Sequence, residues 1–182
     1  MQKDIKLPAK KISLIQKIKS YADLTKLRLS SLVVISALLG YLIAPGEADY
    51  LHLIFLFVGG FLITGSSNAF NQVWERDLDK LMKRTQNRPL PLGNLSVIES
   101  LVFASLIGCA GLFLLWLVND ACAILGALAL ALYVIVYTPL KTVTPFAVFI
   151  GAIPGSIPPM LGYVAISGEF GLEAGILFLI QF

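Results

Sequence analysis

This chain is poor in the residues that make metal and redox centres and poor in charge. It has one histidine and two cysteines in 182 residues, and only 14% of its residues are charged. Cys109 and Cys122 both fall inside apolar runs, with neither metal-type spacing nor the loop context of a disulfide. They read as small core residues. Soluble domains carry about a quarter charged residues, so so few charges exclude a water-soluble core of this size. A hydrophobic share of 57% excludes disorder. No segment alternates apolar and polar residues as a membrane barrel strand does.

Long apolar runs take the place of these features. They cover residues 29–44, closed by Pro45-Gly46, then 51–70, 97–118, 121–138 and 145–166. A bilayer core requires about 20 residues per helix. The last four runs meet this, and the first does when its leading turn from Thr25 is counted. The sequence therefore predicts an all-α, polytopic transmembrane helical bundle with five complete spans. The first run is an anchor rather than a secretion signal, because four more spans follow it. A sixth apolar run begins at Gly171 and stops after about 18 Å of helix, short of about 30 Å of hydrocarbon. A helix ending there would leave carbonyls unsatisfied in lipid, so the sequence predicts a fragment of a longer protein, cut within span six.

The placement of charge orients the bundle. Residues 1–28 carry eight of the fourteen Lys and Arg, and the loops after spans two and four hold the other six. The remaining connections carry Glu47, Asp49, Asp120, Glu169 and Glu173 with no basic residue. The positive-inside rule then puts the N-terminus in the cytoplasm. Within 1–28, Ser13 and Gln16 have capping-box spacing, and Leu14, Ile18 and Tyr21 recur at helical spacing with Lys17 and Lys19 between them. Two readings are open: a short helix on an anionic membrane surface, or a frayed basic tail.

The informative stretch starts at Gly65, GSSNAFNQVWERDLDKLMKRTQNRPLPLG. Asn71, Glu75 and Asp79 are four apart and share a helix face, which Asn68 joins. Converging carboxylates repel, and a divalent cation resolves the conflict. Oxygen donors without His or Cys favour Mg²⁺, which is commonly held by one or two carboxylates with water and phosphate completing its shell. Lys83, Arg84 and Arg88 follow at once, suited to phosphate oxygens. Lys141 in YTPLK, with Lys26 and Arg28 ahead of the first span, lies at the same face, so a ring of Lys26, Arg28, Arg84, Arg88 and Lys141 around one anion is a hypothesis of the sequence. The pattern suggests a Mg²⁺–diphosphate site. Polar helix ends and basic cytoplasmic loops also follow from topology alone, so both readings stand at this point. Asp77 lies about 200° from Glu75 and is expected to pair with Arg76 or Lys80. Trp74 reads as an interface anchor. In the fifth run, Pro154, Pro158 and Pro159 predict kinks. Gly151 and Gly155 have helix-packing spacing, favoured over a cavity lining, and Gly162 is a further small residue of the same run.

The stretch 71–91, NQVWERDLDKLMKRTQNRPLP, resembles the first Asp-rich motif of the UbiA-type intramembrane prenyltransferases. Met82, Arg84-Thr85 and Arg88-Pro89-Leu90 resemble the haem O synthase branch, as do TKLRL at Thr25, YTPLK at Tyr137 and the Pro/Gly-rich fifth run. The resemblance covers nearly the whole chain from Asp23. It departs at Glu75, where the family has Asp, and at Leu27, where Pro is common. It implies a nine-helix fold whose second Asp-rich motif follows span six, beyond this chain. Residues 1–28 would then be a cytoplasmic basic segment and 29–182 a partial transmembrane prenyltransferase domain, inactive alone.

The resemblance implies transfer of a farnesyl group from farnesyl diphosphate to a vinyl group of haem b, giving haem O for haem-copper terminal oxidases. Asn71, Glu75 and Asp79 would hold Mg²⁺ as the catalytic cluster. Arg84, Arg88 and Lys141, with Lys83, Lys26 and Arg28, would bind diphosphate. Asn68 and Tyr137 would line the substrate. His52 is interfacial rather than a haem ligand. The implied location is the bacterial cytoplasmic (inner) membrane with the site facing the cytoplasm. The implied partners are the lipid bilayer and the two substrates, with haem A synthase or oxidase assembly factors as candidates and no nucleic acid. Two rivals remain: a related enzyme acting on an aromatic quinone precursor, and a transporter or anion-binding subunit. The second would place charges near the midplane of spans, whereas here they gather at the end of span two.

Overall fold

The computed structural model describes residues 13–182, and the basic residues before Ser13 lie outside the described part. The described residues are all-helical: α1 (Leu14–Thr25), α2 (Leu27–Ile43), α3 (Tyr50–Asp79), α4 (Val97–Val118), α5 (Asp120–Ala131), a π-helical turn π1 (Leu132–Tyr137), α6 (Thr138–Leu140), α7 (Ala147–Ser167) and α8 (Leu172–Gln181). Four spans are long and apolar enough to cross a membrane on their own: α3, α4, the run Asp120–Leu140, and α7. A fifth is formed if α1 and α2 are taken together. The leading turn of that span is not a straight extension of it. The chain bends by 45° between α1 and α2, because Lys26 adopts a left-handed conformation, φ 49° and ψ 62°.

Local chemistry sets the helix ends. The capping box at α1 forms, with Ser13 Oγ accepting from the Gln16 amide and Gln16 Oε1 from the Ser13 amide, both at 3.3 Å. Asp49, Ser96 and Asn119 cap α3, α4 and α5 by accepting from amides two or three residues on. The Tyr41 hydroxyl ties down the outer loop, donating to the Asp49 carbonyl at 2.9 Å and accepting from its amide at 3.0 Å.

Two apolar clusters hold the bundle. The larger joins Tyr41, Leu56, Leu115, Cys122, Ile157 and Val164 from α2 to α7. The smaller, at the basic end, joins Leu24 of α1, Ala69 of α3 and Ala104 of α4 with Leu90 and Leu95 of the loop between α3 and α4. α2 and α7 touch backbone to backbone. A Cβ on Gly40 would meet the Pro159 carbonyl, and one on Gly162 would meet that of Ala37. Small residues permit this approach.

α7 runs unbroken through Pro154, Pro158 and Pro159. Two expectations need correction. Cys109 is exposed, and only Cys122 is core. Gly155 packs against nothing within 4 Å of a would-be Cβ, and it lines a cavity.

Candidate active site

α3 outruns its apolar stretch by about two turns, and this extension carries the polar cluster. Asn71 Nδ2 donates to Glu75 Oε2 at 2.7 Å, one turn along. Asn71 Oδ1 accepts from Lys141 Nζ at 2.6 Å and from Thr138 Oγ1 at 3.2 Å. Lys141 Nζ also pairs with Glu75 Oε1 at 2.7 Å, so one ammonium bridges the carboxamide and the carboxylate. A turn further, Asp79 is fully buried and both its oxygens accept from Arg88 Nη1, at 2.8 and 2.7 Å. The same Nη1 lies 4.0 Å from Glu75 Oε2.

Each basic residue arrives by a separate device. Arg88 returns to α3 because the loop after it folds inward. Thr85 Oγ1 donates to the Asp79 carbonyl at 3.1 Å, and Leu90 and Leu95 bury in the smaller cluster. Lys141 follows the π turn. Pro139 has no amide and crowds the carbonyl four residues back. The wider turn accommodates it, with the Thr138 amide bonded to the Tyr133 carbonyl five residues away. The Lys141 ammonium also stands 5.2 Å from the centre of the Tyr137 ring. Lys26 is partly buried at the bend. The charges of Arg88, Lys141, Glu75 and Asp79 all act on its ammonium.

Of the residues singled out in the sequence, the structure gathers Asn71, Glu75, Asp79, Arg88 and Lys141, with Lys26 within electrostatic range. Asn68 is buried one turn before Asn71, and the Tyr137 ring packs at a tilt of 45° against Tyr133 with ring centres 5.1 Å apart. Lys83, Arg84 and Arg28 are exposed. Asp77 pairs with Arg76 at 3.3 Å and with Lys80 at 2.8 Å, as its helix angle requires. Trp74 is exposed. Acidic and basic residues interdigitate here, whereas the sequence suggested two adjacent clusters.

The donor set can be tested against Mg²⁺. Asn71 Oδ1 and the Glu75 carboxylate are oxygen donors that the Lys141 ammonium bridges, and Glu75 keeps some exposure. That chemistry fits. Asp79 has both oxygens committed to Arg88. Among the described residues no three His, Cys, Asp or Glu converge.

Sequence reasoning missed Thr138, which fixes Asn71 and the π turn together, and it missed the cavity. The cavity, about 200 Å³, opens between α2, α3, α5 and α7 and is almost wholly apolar, with Leu29, Val33, Gly60, Ala129, Pro154 and Gly155 among its walls. Its polar end is Asn68, with Ser67 and Thr64. Tyr133 also lines it, and the Tyr133 carbonyl accepts from Thr138 Oγ1 at 2.8 Å. Cavity and ion cluster therefore adjoin within one helical turn. The sole sequence signal for the cavity was the Gly/Pro content of α7.

The UbiA prenyltransferase family model matches residues 33–182. The chain is 49% identical over 162 residues to protoheme IX farnesyltransferase of Christiangramia forsetii, covering 89% of this chain and 54% of that protein. It is 48% identical over 165 residues to the enzyme of the same name from Cytophaga hutchinsonii, covering 90% and 58%. The chain thus spans a little over half the length of these curated relatives. Among solved structures, one from a study of digeranylgeranylglyceryl phosphate synthase in membranes superposes with a TM-score of 0.82 at 24% identity, covering 91% of this chain and 58% of that one. A UbiA homologue from Archaeoglobus fulgidus bound to GPP and Mg²⁺ gives 0.71 at 18%, covering 89% and 59%. At these identities the superpositions show the fold.

Proposed function

This chain belongs to the UbiA prenyltransferase family of integral membrane proteins, and we propose that it is part of a protohaem farnesyltransferase, supplying the diphosphate half-site and the isoprenoid cavity. The observation that carries the reading is the adjacency of an apolar cavity to a cluster of two carboxylates and three cations at one end of the bundle. A prenyl diphosphate has that polarity: a long hydrocarbon joined to a charged head.

In the proposed reaction a vinyl carbon of haem b bonds to the terminal carbon of the farnesyl chain, and the C–O bond breaks with its electron pair leaving on diphosphate. Water then adds to the resulting cation beside the porphyrin and loses a proton, leaving a hydroxyethylfarnesyl group. Arg88 and Lys141, with Lys26, meet phosphate oxygens whose charge grows as that bond breaks. Donors aimed at developing charge stabilise a transition state more than a ground state. Lys83, Arg84 and Arg28, all exposed, are proposed as further phosphate contacts. Asn71 and Glu75 are the residues that would hold Mg²⁺, which would supply Lewis acidity to the departing phosphate, while Asp79 holds Arg88 in place. Leu29, Val33, Pro154 and Tyr133 shield the allylic chain from water, with Asn68 and Tyr137 near its reactive end. The proposed location is the inner membrane of a bacterium with this site on the cytoplasmic side, supported by the gathering of the basic residues at that end.

The test uses the full-length protein in membranes with haem b, Mg²⁺ and labelled farnesyl diphosphate. Farnesylated haem from wild type, lost in Asp79→Asn and Arg88→Ala at normal protein levels, is the expected result. Transfer to an aromatic quinone precursor instead of haem would overturn the acceptor. Transfer to neither would overturn the enzymatic reading.

A further inference from the structure

The bend between α1 and α2 rests on Gln72 and Ser30, to which the reaction above gives no role, together with Asn68. Lys26 is the one non-glycine residue with positive φ among the described residues. In a residue with a long side chain that conformation costs on the order of 1–2 kcal/mol, and it persists only where its surroundings enforce it. Here the last carbonyls of α1, orphaned by the break, are each held. Gln72 Nε2 donates to the Asp23 and Leu24 carbonyls at 3.2 and 3.0 Å. Ser30 Oγ donates to the Thr25 carbonyl at 2.7 Å. Asn68 Nδ2 reaches both the Thr25 carbonyl and Ser30 Oγ at 3.4 Å.

Gln72, Ser30 and Asn68 are all buried, and Gln72 Oε1 finds no hydrogen-bond partner among the described residues. A leucine would fill the same volume without an unpaired amide oxygen, so packing alone does not account for glutamine. What the amide accomplishes is a fixed turn. That turn sets the direction of Lys26, whose ammonium lies within electrostatic range of Arg88, Lys141, Glu75 and Asp79. No ion pair holds Lys26 among the described residues, so its ammonium is not committed elsewhere. Gln72 is also the neighbour of Asn71 on α3, and the same helix turn therefore fixes the acidic cluster and the cation that faces it.

We propose that Gln72, assisted by Ser30, is a positioning residue that clamps the end of α1 and so aims the Lys26 ammonium at the phosphate oxygens of the prenyl diphosphate. This rests on the proposed function, whose substrate it takes as given.

The test measures binding of inorganic diphosphate with Mg²⁺ by titration calorimetry, using full-length protein in lipid nanodiscs. The set is wild type, Lys26→Asn, Gln72→Leu and the double variant. Asparagine tolerates the left-handed turn, so Lys26→Asn removes the ammonium and keeps the bend. Expected are losses of about tenfold for Lys26→Asn, the size of one hydrogen bond to a charged group, and of several-fold for Gln72→Leu. In the double variant the Gln72 change should add nothing, because both substitutions remove one contact. Ser30→Ala removes a single clamp bond; it should weaken binding less, again only while Lys26 is present, and it replaces Gln72→Leu if that variant misfolds. Equal losses from the clamp variants with and without Lys26, or wild-type affinity in Lys26→Asn, would overturn the proposal while leaving the function intact. Wild type that binds no diphosphate would overturn the function, and the role of Gln72 with it.

Discussion

Arg88 donates through a single nitrogen to both oxygens of Asp79, and Asp79 has no exposed surface at all. The pair closes the loop between α3 and α4 back onto α3, and the same nitrogen lies 4.0 Å from Glu75 Oε2. Buried ions are tolerated only when paired, so this contact has a structural role as well as the one proposed for it in binding diphosphate.

Removing one partner should therefore cost more than removing both. Asp79→Ala leaves a guanidinium without its carboxylate and is expected to destabilise the protein by about 2–5 kcal/mol. Asp79→Ala with Arg88→Ala should recover part of that loss. Thermal unfolding in detergent measures it, and a double variant less stable than the single would refute the pairing.

Glu75 stands where the family motif has aspartate, and its longer arm reaches both Asn71 and Lys141. Glu75→Gln keeps the shape and removes the charge, so turnover of farnesyl diphosphate should fall at least about a hundredfold, in the range of a lost electrostatic contact at a reacting centre. Glu75→Asp keeps the charge and should stay within about tenfold of wild type in kcat/KM. Equal loss in both would make arm length, not charge, the requirement.

Gly155 and Gly162 occupy one helix but should respond in opposite ways. Gly155→Leu projects into open space lined by the cavity walls. It should leave stability near wild type and shift preference from farnesyl toward the shorter geranyl diphosphate. Gly162→Ala meets the Ala37 backbone, forces α2 and α7 apart, and should destabilise by about 1–3 kcal/mol. Competition between labelled diphosphates checks the first, and unfolding the second.

Glu99, in the first turn of α4, docks α1. One of its oxygens accepts from the Tyr21 hydroxyl and pairs with Lys17 Nζ, both at 2.6 Å, while the Tyr21 ring packs on Phe103 at 4.6 Å. The outer side of α1 keeps Leu14, Ile15 and Ile18 exposed, a face suited to the headgroup region. Glu99→Gln should weaken the docking and speed amide exchange across α1 without touching α5 or α7. Exchange protection in α1 equal to wild type would show that the apolar contacts alone hold it.

Much of this molecule is legible without coordinates. The third span, Val97–Val118, coincides with its apolar run because lipid admits only helices that are apolar over their length. The capping box at Ser13, the four-residue spacing of Asn71, Glu75 and Asp79, and the pairing of Asp77 are local, and local geometry follows from helix periodicity. What escaped was non-local. Thr138 looked like a residue before a proline, and its bond to Asn71 spans 67 positions. Gln72 looked like a polar residue at a helix end, and its partners lie nearly fifty positions away.

The sequence by itself determined the membrane class, the order of the spans and the family, since these depend on hydrophobic length, charge placement and a contiguous motif. Only the tertiary structure decided that the carboxylates and cations interlock rather than sit in neighbouring patches, that the first span bends at Lys26, and that Gly155 lines a cavity while Gly162 closes a contact. Each of these depends on which helix stands opposite. Periodicity fixes a residue's face on its own helix, and packing alone settles what that face meets.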